Sequence, residues 1–150
     1  MWQQVDPNQQ WERMLGFTLA VDHRMIVIAY DALYPIDLRR PRSFVSDDRF
    51  PEGEGVYDYE SQILTYEGQT HYVLGLYGGS PIIWSGRGEV LEVDTERETL
   101  RIAGLDGKIA LKFHYSDVSG DWLSATFSQD DEYVLLGVPY ALYAFRRLPG

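Results

Sequence analysis

The sequence predicts an all-β fold, with about ten short antiparallel strands forming a barrel or a two-sheet sandwich behind a short N-terminal helix. Three observations carry this. Apolar and polar residues alternate with period two in several stretches, as in Lys108 to Tyr115. Turn-forming residues punctuate these stretches at short, regular intervals. No stretch after the first few residues carries the 3.6-residue apolar period of a long helix.

The elements follow in chain order. Asp6 is a good helix N-cap and Pro7 suits a first helical position, so residues 7–13 are predicted as a short helix anchored by Trp11. Met14 to Val21 is a strand, with Leu15, Phe17, Leu19 and Val21 on one face. Arg24 to Asp31 follows after the turn Asp22-His23. There Met25, Val27 and Ala29 oppose Ile26, Ile28 and Tyr30. A strand apolar on both faces is buried on both or lines a cavity.

Ile63 to Glu67 and Thr70 to Tyr77 flank a turn at Gly68-Gln69, and the breaker Gly78-Gly79-Ser80-Pro81 leads to Ile82 to Ser85. Gly88 to Asp94 and Thr99 to Ala103 are joined by the polar turn 95–98. The link Gly104-Leu105-Asp106-Gly107 carries the Asp-Gly hairpin signal into Lys108 to Tyr115. Trp122 to Phe127, Glu132 to Val138 and Ala141 to Arg146 complete the set, within one domain spanning residues 1–150.

One segment departs from this pattern. Tyr34 to Glu60 is rich in proline, glycine and charge, and reads as a long loop. Connections of this length are functional or disordered more often than not. It opens basic, with Arg39, Arg40 and Arg42. It then turns acidic and aromatic, with Asp47, Asp48, Glu52, Glu54, Tyr57, Asp58, Tyr59 and Glu60.

The 150 residues carry 13 Lys+Arg against 23 Asp+Glu, a net charge of −10. That field repels nucleic acid and anionic membrane and attracts basic partners. The absence of cysteine excludes disulfides, thiol catalysis and thiolate metal sites. The first residues lack the basic start and apolar run of a secretory signal, and no apolar stretch is long enough for a membrane helix. The expectation is a soluble, cytoplasmic protein.

No constellation names a catalytic reaction. There is no phosphate loop, dinucleotide fingerprint or nucleophile elbow. His23, His71 and His114 fall in a turn, in a strand and on a wet strand face, without ligand spacing. The acids of the loop Asp117 to Asp121 lack the oxygen ladder of a calcium loop. The reading is therefore not an enzyme, with no metal and no cofactor.

Of the 11 Tyr, 6 Phe and 4 Trp some build the core, as Phe113 and Phe127 do, while Tyr57, Tyr59, Trp84, Trp122 and Tyr140 fall at loops or nominal outer faces. There a second sheet layer with apolar residues on both faces accounts for them slightly better than an interface. Tyrosine and tryptophan combine large contact area with a polar handle and are common at interfaces. The preferred reading is a protein-binding module for a basic partner, in concrete form an immunity-type inhibitor of a basic toxin or enzyme. Its partner-binding residues would be Asp47, Asp48, Glu52, Glu54, Tyr57, Asp58, Tyr59 and Glu60. The alternative is a small apolar-ligand-binding β-barrel of the calycin-like kind, with the 34–60 segment as a lid. An enzyme is a distant third.

Overall fold

In the computed structural model, residues 1–7, 11, 13–48, 56–117 and 119–149 are described. They form 13 strands: β1 (Trp2–Gln4), β2 (Met14–Thr18), β3 (Arg24–Ala29), β4 (Leu33–Asp37), β5 (Val56–Asp58), β6 (Ile63–Tyr66), β7 (Gln69–Gly75), β8 (Val90–Asp94), β9 (Thr99–Ala103), β10 (Ile109–His114), β11 (Ser124–Phe127), β12 (Tyr133–Val138) and β13 (Ala141–Arg147). They assemble into three antiparallel sheets, ordered β1-β13-β12-β11, β10-β9-β8 and β4-β3-β2-β7-β6-β5. Among the described residues the architecture is thus three sheets, neither a closed barrel nor a two-sheet sandwich, and the six-stranded sheet curls as a half-barrel.

The four-stranded sheet lies in the middle. Every residue of β12 is buried, because successive side chains point to opposite faces and both faces are covered. Tyr133 and Leu135, with Leu142 and Ala144 of β13, pack against Met14, Phe17, Met25 and Val27 of the half-barrel. Val134, Leu136 and Phe145 pack against Leu91, Leu100 and Ile102 of the three-stranded sheet. Each fully buried aliphatic or aromatic side chain contributes about 1.5–3 kcal/mol. The two-sided apolar strand read from Arg24 to Asp31 has the same cause. Met25 and Val27 face the central sheet, and Ile26 and Ile28 face the hollow of the half-barrel.

The half-barrel curls because β7 changes partner along its length. Gln69 to Tyr72 pair with β6, and Val73 to Gly75 pair with β2. At the crossing the backbones approach closely: a Cβ on Gly75 would collide with the Leu15 carbonyl oxygen and the Gly16 Cα. Glycine here permits the contact rather than a special dihedral.

Three expectations are corrected. The helix over 7–13 is absent among the described residues; residues 8–10 and 12 lie outside them. The amide of Val5 donates to Ala144 (2.8 Å), that of Trp11 to Tyr140 (3.1 Å) and that of Met14 to Pro139 (2.6 Å). The β12–β13 hairpin thus satisfies donors that a helix would have turned inward. The 34–60 loop yields a strand at each end, β4 and β5. Pro35 is tolerated in β4 because that strand is an edge. Ile82 to Ser85 forms no strand; it makes the isolated bridge Trp84 to Val90 and single backbone hydrogen bonds to Glu89, Leu91 and Phe127.

Candidate partner-binding site

Two turns meet at one end of the half-barrel. The β5–β6 turn holds Tyr59 and Glu60 between Asp58 and Ile63, which face each other across the hairpin. The Asp58 carboxylate accepts the amides of Glu60 (3.0 Å) and Ser61 (3.4 Å), the standard local use of aspartate in a turn. The Ser61 side chain, then these two amides, hold its pKa below the usual carboxylate value. Gln62 closes the turn in the left-handed region, at φ 56°.

The second turn is Gly75-Leu76-Tyr77-Gly78, closed by reciprocal amide–carbonyl bonds of 3.0 Å between the two glycines. Gly78 takes φ 98° and Gly79 φ 129°, and a Cβ on Gly79 would collide with the Val73 carbonyl. The Gly-Gly pair therefore permits the sharp exit that places Tyr77 at the corner. Gln62 Nε2 donates to the Tyr77 carbonyl at 2.8 Å and ties the two turns together.

This brings three tyrosines into contact. Tyr59 and Tyr77 stack with centroids 4.4 Å apart and planes at 18°. Tyr57 meets Tyr59 edge-on at 4.9 Å and Tyr77 at 6.1 Å. Tyr57 is 7% exposed, while Tyr59 and Tyr77 are 47% and 41% exposed. The Tyr57 hydroxyl has no hydrogen-bond partner among the described residues. Burial, with the neighbouring Tyr77 and Tyr59 phenols, pushes its pKa up to about 12. The result is an exposed aromatic stack supported by a buried ring, beside the exposed acids Asp58 and Glu60.

Six of the eight expected site residues are described. Tyr57, Asp58, Tyr59 and Glu60 come together at this end. Asp47 instead meets Tyr66, at the end of β6 away from the Asp58–Ile63 turn. Its backbone exchanges hydrogen bonds with Leu33 (3.0 and 2.7 Å), and its carboxylate accepts the Tyr66 hydroxyl at 2.6 Å. Asp47 is thus a structural tie. Asp48 is exposed nearby, and Glu52 and Glu54 lie outside the described residues. Tyr77 was not among the expected residues. The only signal for it is a tyrosine directly before a Gly-Gly breaker, which reads equally well as a strand end.

Trp122 and Tyr57, expected on outer faces, are buried, whereas Trp84 is exposed. His23, His71 and His114 stay apart, and no group of three or more metal-ligating side chains occurs among the described residues. Asp117 and Asp130 accept amides of their own turns, whereas Asp121 pairs with Arg13 and Asp131 accepts the Gly86 amide. Comparison with protein families, curated proteins and solved structures finds no match for this chain.

Proposed function

We propose that the chain is a protein-binding module that docks a basic partner on the tyrosine cluster. The observation that carries this is the stacked, half-exposed pair Tyr59–Tyr77 resting on buried Tyr57, with Asp58 and Glu60 beside it. Rigid aromatics give large contact area at small entropic cost and dominate interface energetics. Carboxylates at the rim steer a cationic surface toward them, and the net charge of −10 extends that field. Arginine is the partner side chain that suits the site best, because its guanidinium stacks on aromatic faces and bonds carboxylates through two parallel donors. In its concrete form the module is an immunity-type inhibitor, whose carboxylates occupy the position of substrate phosphates in a basic toxin or enzyme.

The test is affinity capture from the source lysate with the wild-type chain, a Tyr59→Ala/Tyr77→Ala variant and an Asp58→Asn/Glu60→Gln variant, each at two salt concentrations. The expected result is one basic protein retained stoichiometrically by the wild type. The tyrosine variant should lose it, and the acid variant should bind it with a slower association rate and a weaker salt dependence. A partner retained equally by all three chains would remove this site from consideration.

A further inference from the structure

The three sheets have six edge strands among the described residues, and five of these are short or covered. β1 and β5 have three residues each. β4 holds Pro35, which lacks an amide hydrogen, and its Leu33 exchanges hydrogen bonds with Asp47. Residues 82–85 run along two further edges. The Leu91 amide of β8 donates to the Ile83 carbonyl and the Phe127 amide of β11 to the Ile82 carbonyl, each at 2.8 Å. β10 is the edge that remains. It has six residues, no proline, and no backbone partner on its outer side among the described residues. The Tyr115 amide donates to the Glu98 carbonyl, just before β9, at 3.0 Å. Hydrogen bonding alternates along an antiparallel strand, so Phe113 and Leu111 also bond toward β9. The amides and carbonyls of Lys112 and His114 therefore point away from it, to the open side.

The side chains decide what can pair there. The only two lysines of this acidic chain, Lys108 and Lys112, lie just before β10 and within it. Lys112 stands directly opposite Arg101 of β9, and Glu92 of β8 stands opposite Arg101 on its far side. Glu92 pairs with Arg101, so the row across the sheet reads acid, arginine, lysine, and its open end lacks an anion. Directly opposed like charges cost stability. Lys112 makes no ion pair among the described residues. The other acids of this sheet are held in its turns. Asp106 accepts the Lys108 amide (2.9 Å), Glu98 the Asp117 amide (2.8 Å), and Asp94 the Arg97 amide (3.2 Å) while pairing with the same arginine. On the inner face Leu111 and Phe113 are half-buried, and the Phe113 ring lies 5.1 Å from that of half-buried Tyr143.

We propose that β10 takes up an extended acidic segment of a partner protein as an added antiparallel strand, with a carboxylate opposite Lys112 and apolar side chains opposite Leu111 and Phe113. In strand addition the main-chain hydrogen bonds supply affinity and alternate side chains supply specificity. Here the bonds form at Lys112 and His114. The carboxylate completes the row at the end opposite Glu92, and the apolar side chains extend the inner face past Phe113 and Tyr143. A second copy of the chain is selected against, because lysine on an edge strand guards against the pairing of two like edges. The bulge between Ile109 and Leu111 confines regular pairing to Leu111 and beyond, so the bound segment is short. This edge belongs to the three-stranded sheet and the tyrosine cluster to the half-barrel, so the two sites stand or fall independently.

The experiment is a ¹⁵N–¹H correlation titration of the full chain, followed by amide hydrogen exchange of the saturated complex. The probes are the capped peptide Thr-Val-Glu-Val-Glu-Val-Thr, its counterpart with lysine for glutamate, and the glutamate peptide N-methylated at both glutamates. The expected result is saturable shifts along β10 with the glutamate peptide. Exchange should slow at the Lys112 and His114 amides and stay as it was at Leu111 and Phe113, which already bond to β9. The lysine peptide should bind at least tenfold more weakly, and the methylated peptide, which has lost the donors facing the edge, should not bind. Lys112→Glu changes an exposed side chain and should reverse the preference between the two charged peptides while leaving the rest of the spectrum unchanged. No saturable shift, equal affinity for the glutamate and lysine peptides, binding of the methylated peptide, or a preference unaltered by Lys112→Glu would each overturn the proposal. Shifts along β10 that grow with protein concentration in the absence of peptide would overturn it in favour of a second copy.

Discussion

The His23 Nδ1 and the Tyr133 hydroxyl oxygen lie 2.7 Å apart, joining the tip of the β2–β3 hairpin to the start of β12 across 110 residues. The rings meet edge to face at 5.6 Å. His23 occupies the left-handed region at φ 66°, and its carbonyl accepts the Leu38 amide at 2.7 Å. One residue thus fixes the hairpin tip to both β4 and the central sheet. Removing the phenol oxygen alone, with Tyr133→Phe, keeps the packing and breaks the hydrogen bond. The expected cost is about 1 kcal/mol, because part-exposed His23 can turn to water instead. Urea unfolding at neutral pH measures it, and an unchanged midpoint would show that the bond adds nothing.

A second long-range tie is mostly desolvated. Arg147 is 7% exposed and meets Glu89 through two hydrogen bonds, at 2.6 and 3.2 Å. Its Nε donates to the Asp131 carbonyl at 3.0 Å, and its guanidinium lies 4.3 Å from the Trp2 ring centroid. The Ser85 hydroxyl donates to the same carboxylate at 2.9 Å. Glu89→Ala strands the arginine charge in this site and should cost roughly 3 kcal/mol or more.

The same pair predicts an acid profile. Hydrogen bonds from Arg147, then Ser85, hold the Glu89 pKa below the ordinary glutamate value. The folded state therefore binds that proton more weakly than the unfolded chain. The stabilisation is complete above about pH 4.3, the unfolded value, and fades as pH falls through the lower folded one. Unfolding midpoints measured from pH 7 to pH 2.5 should fall less steeply for Glu89→Gln than for the wild type. Parallel slopes would mean that other carboxylates carry the acid sensitivity.

What was legible in the chain was the local pattern. Thr99 to Ala103 is β9 as read, and β10 and β12 fall within a residue of their expected bounds, because alternation and turn chemistry act over a few residues. The two-sided burial of β3 was legible from Met25 to Ile28 for the same reason. The illegible parts depend on distant partners. Asp6-Pro7 is a sound helix start, yet the amides of Trp11 and Met14 go to the β12–β13 hairpin. Pro35 hides β4, since its tolerance depends on an edge position that only the assembled sheet defines. Asp47 and Asp58 looked like one acidic patch by proximity in sequence, but Tyr66 claims one and its own turn claims the other. No local signal connects Tyr59 with Tyr77, or Glu89 with Arg147.

The contact between the central sheet and the half-barrel makes Gly137 sensitive. A Cβ there would collide with the Phe17 ring and come within 3.3 Å of Trp122, whose ring stacks on Phe17 at 6.5 Å. Both aromatics are buried, and Trp122 Nε1 also donates to the Met14 carbonyl at 3.3 Å, so neither ring can move aside freely. Gly137→Ala should cost roughly 1–3 kcal/mol through overpacking. Thermal unfolding of the single variant tests this. Adding Phe17→Leu should recover part of the loss if the clash is the cause, and no recovery would assign it to the β12 backbone.

Tyr57 separates stability from binding at the proposed docking site. Its hydroxyl is buried without a partner, a state that costs about 1–3 kcal/mol in a protein interior. Tyr57→Phe removes the oxygen and keeps the ring under Tyr59 and Tyr77. The free chain should therefore be unchanged or up to about 1 kcal/mol more stable at neutral pH. At high pH the sign is fixed by the raised pKa. The folded state keeps the phenol proton to about pH 12, whereas the unfolded chain releases it near pH 10, so stability drains away across that interval. Tyr57→Phe should lose less stability there, and the wild type's phenolate absorbance should show one more late-titrating tyrosine than the variant. If a partner's carbonyl or carboxylate accepts from this hydroxyl in the complex, the same substitution weakens binding about tenfold without harming the fold. Equal affinity of variant and wild type would leave the ring stack, and not the buried phenol, as the group the partner engages.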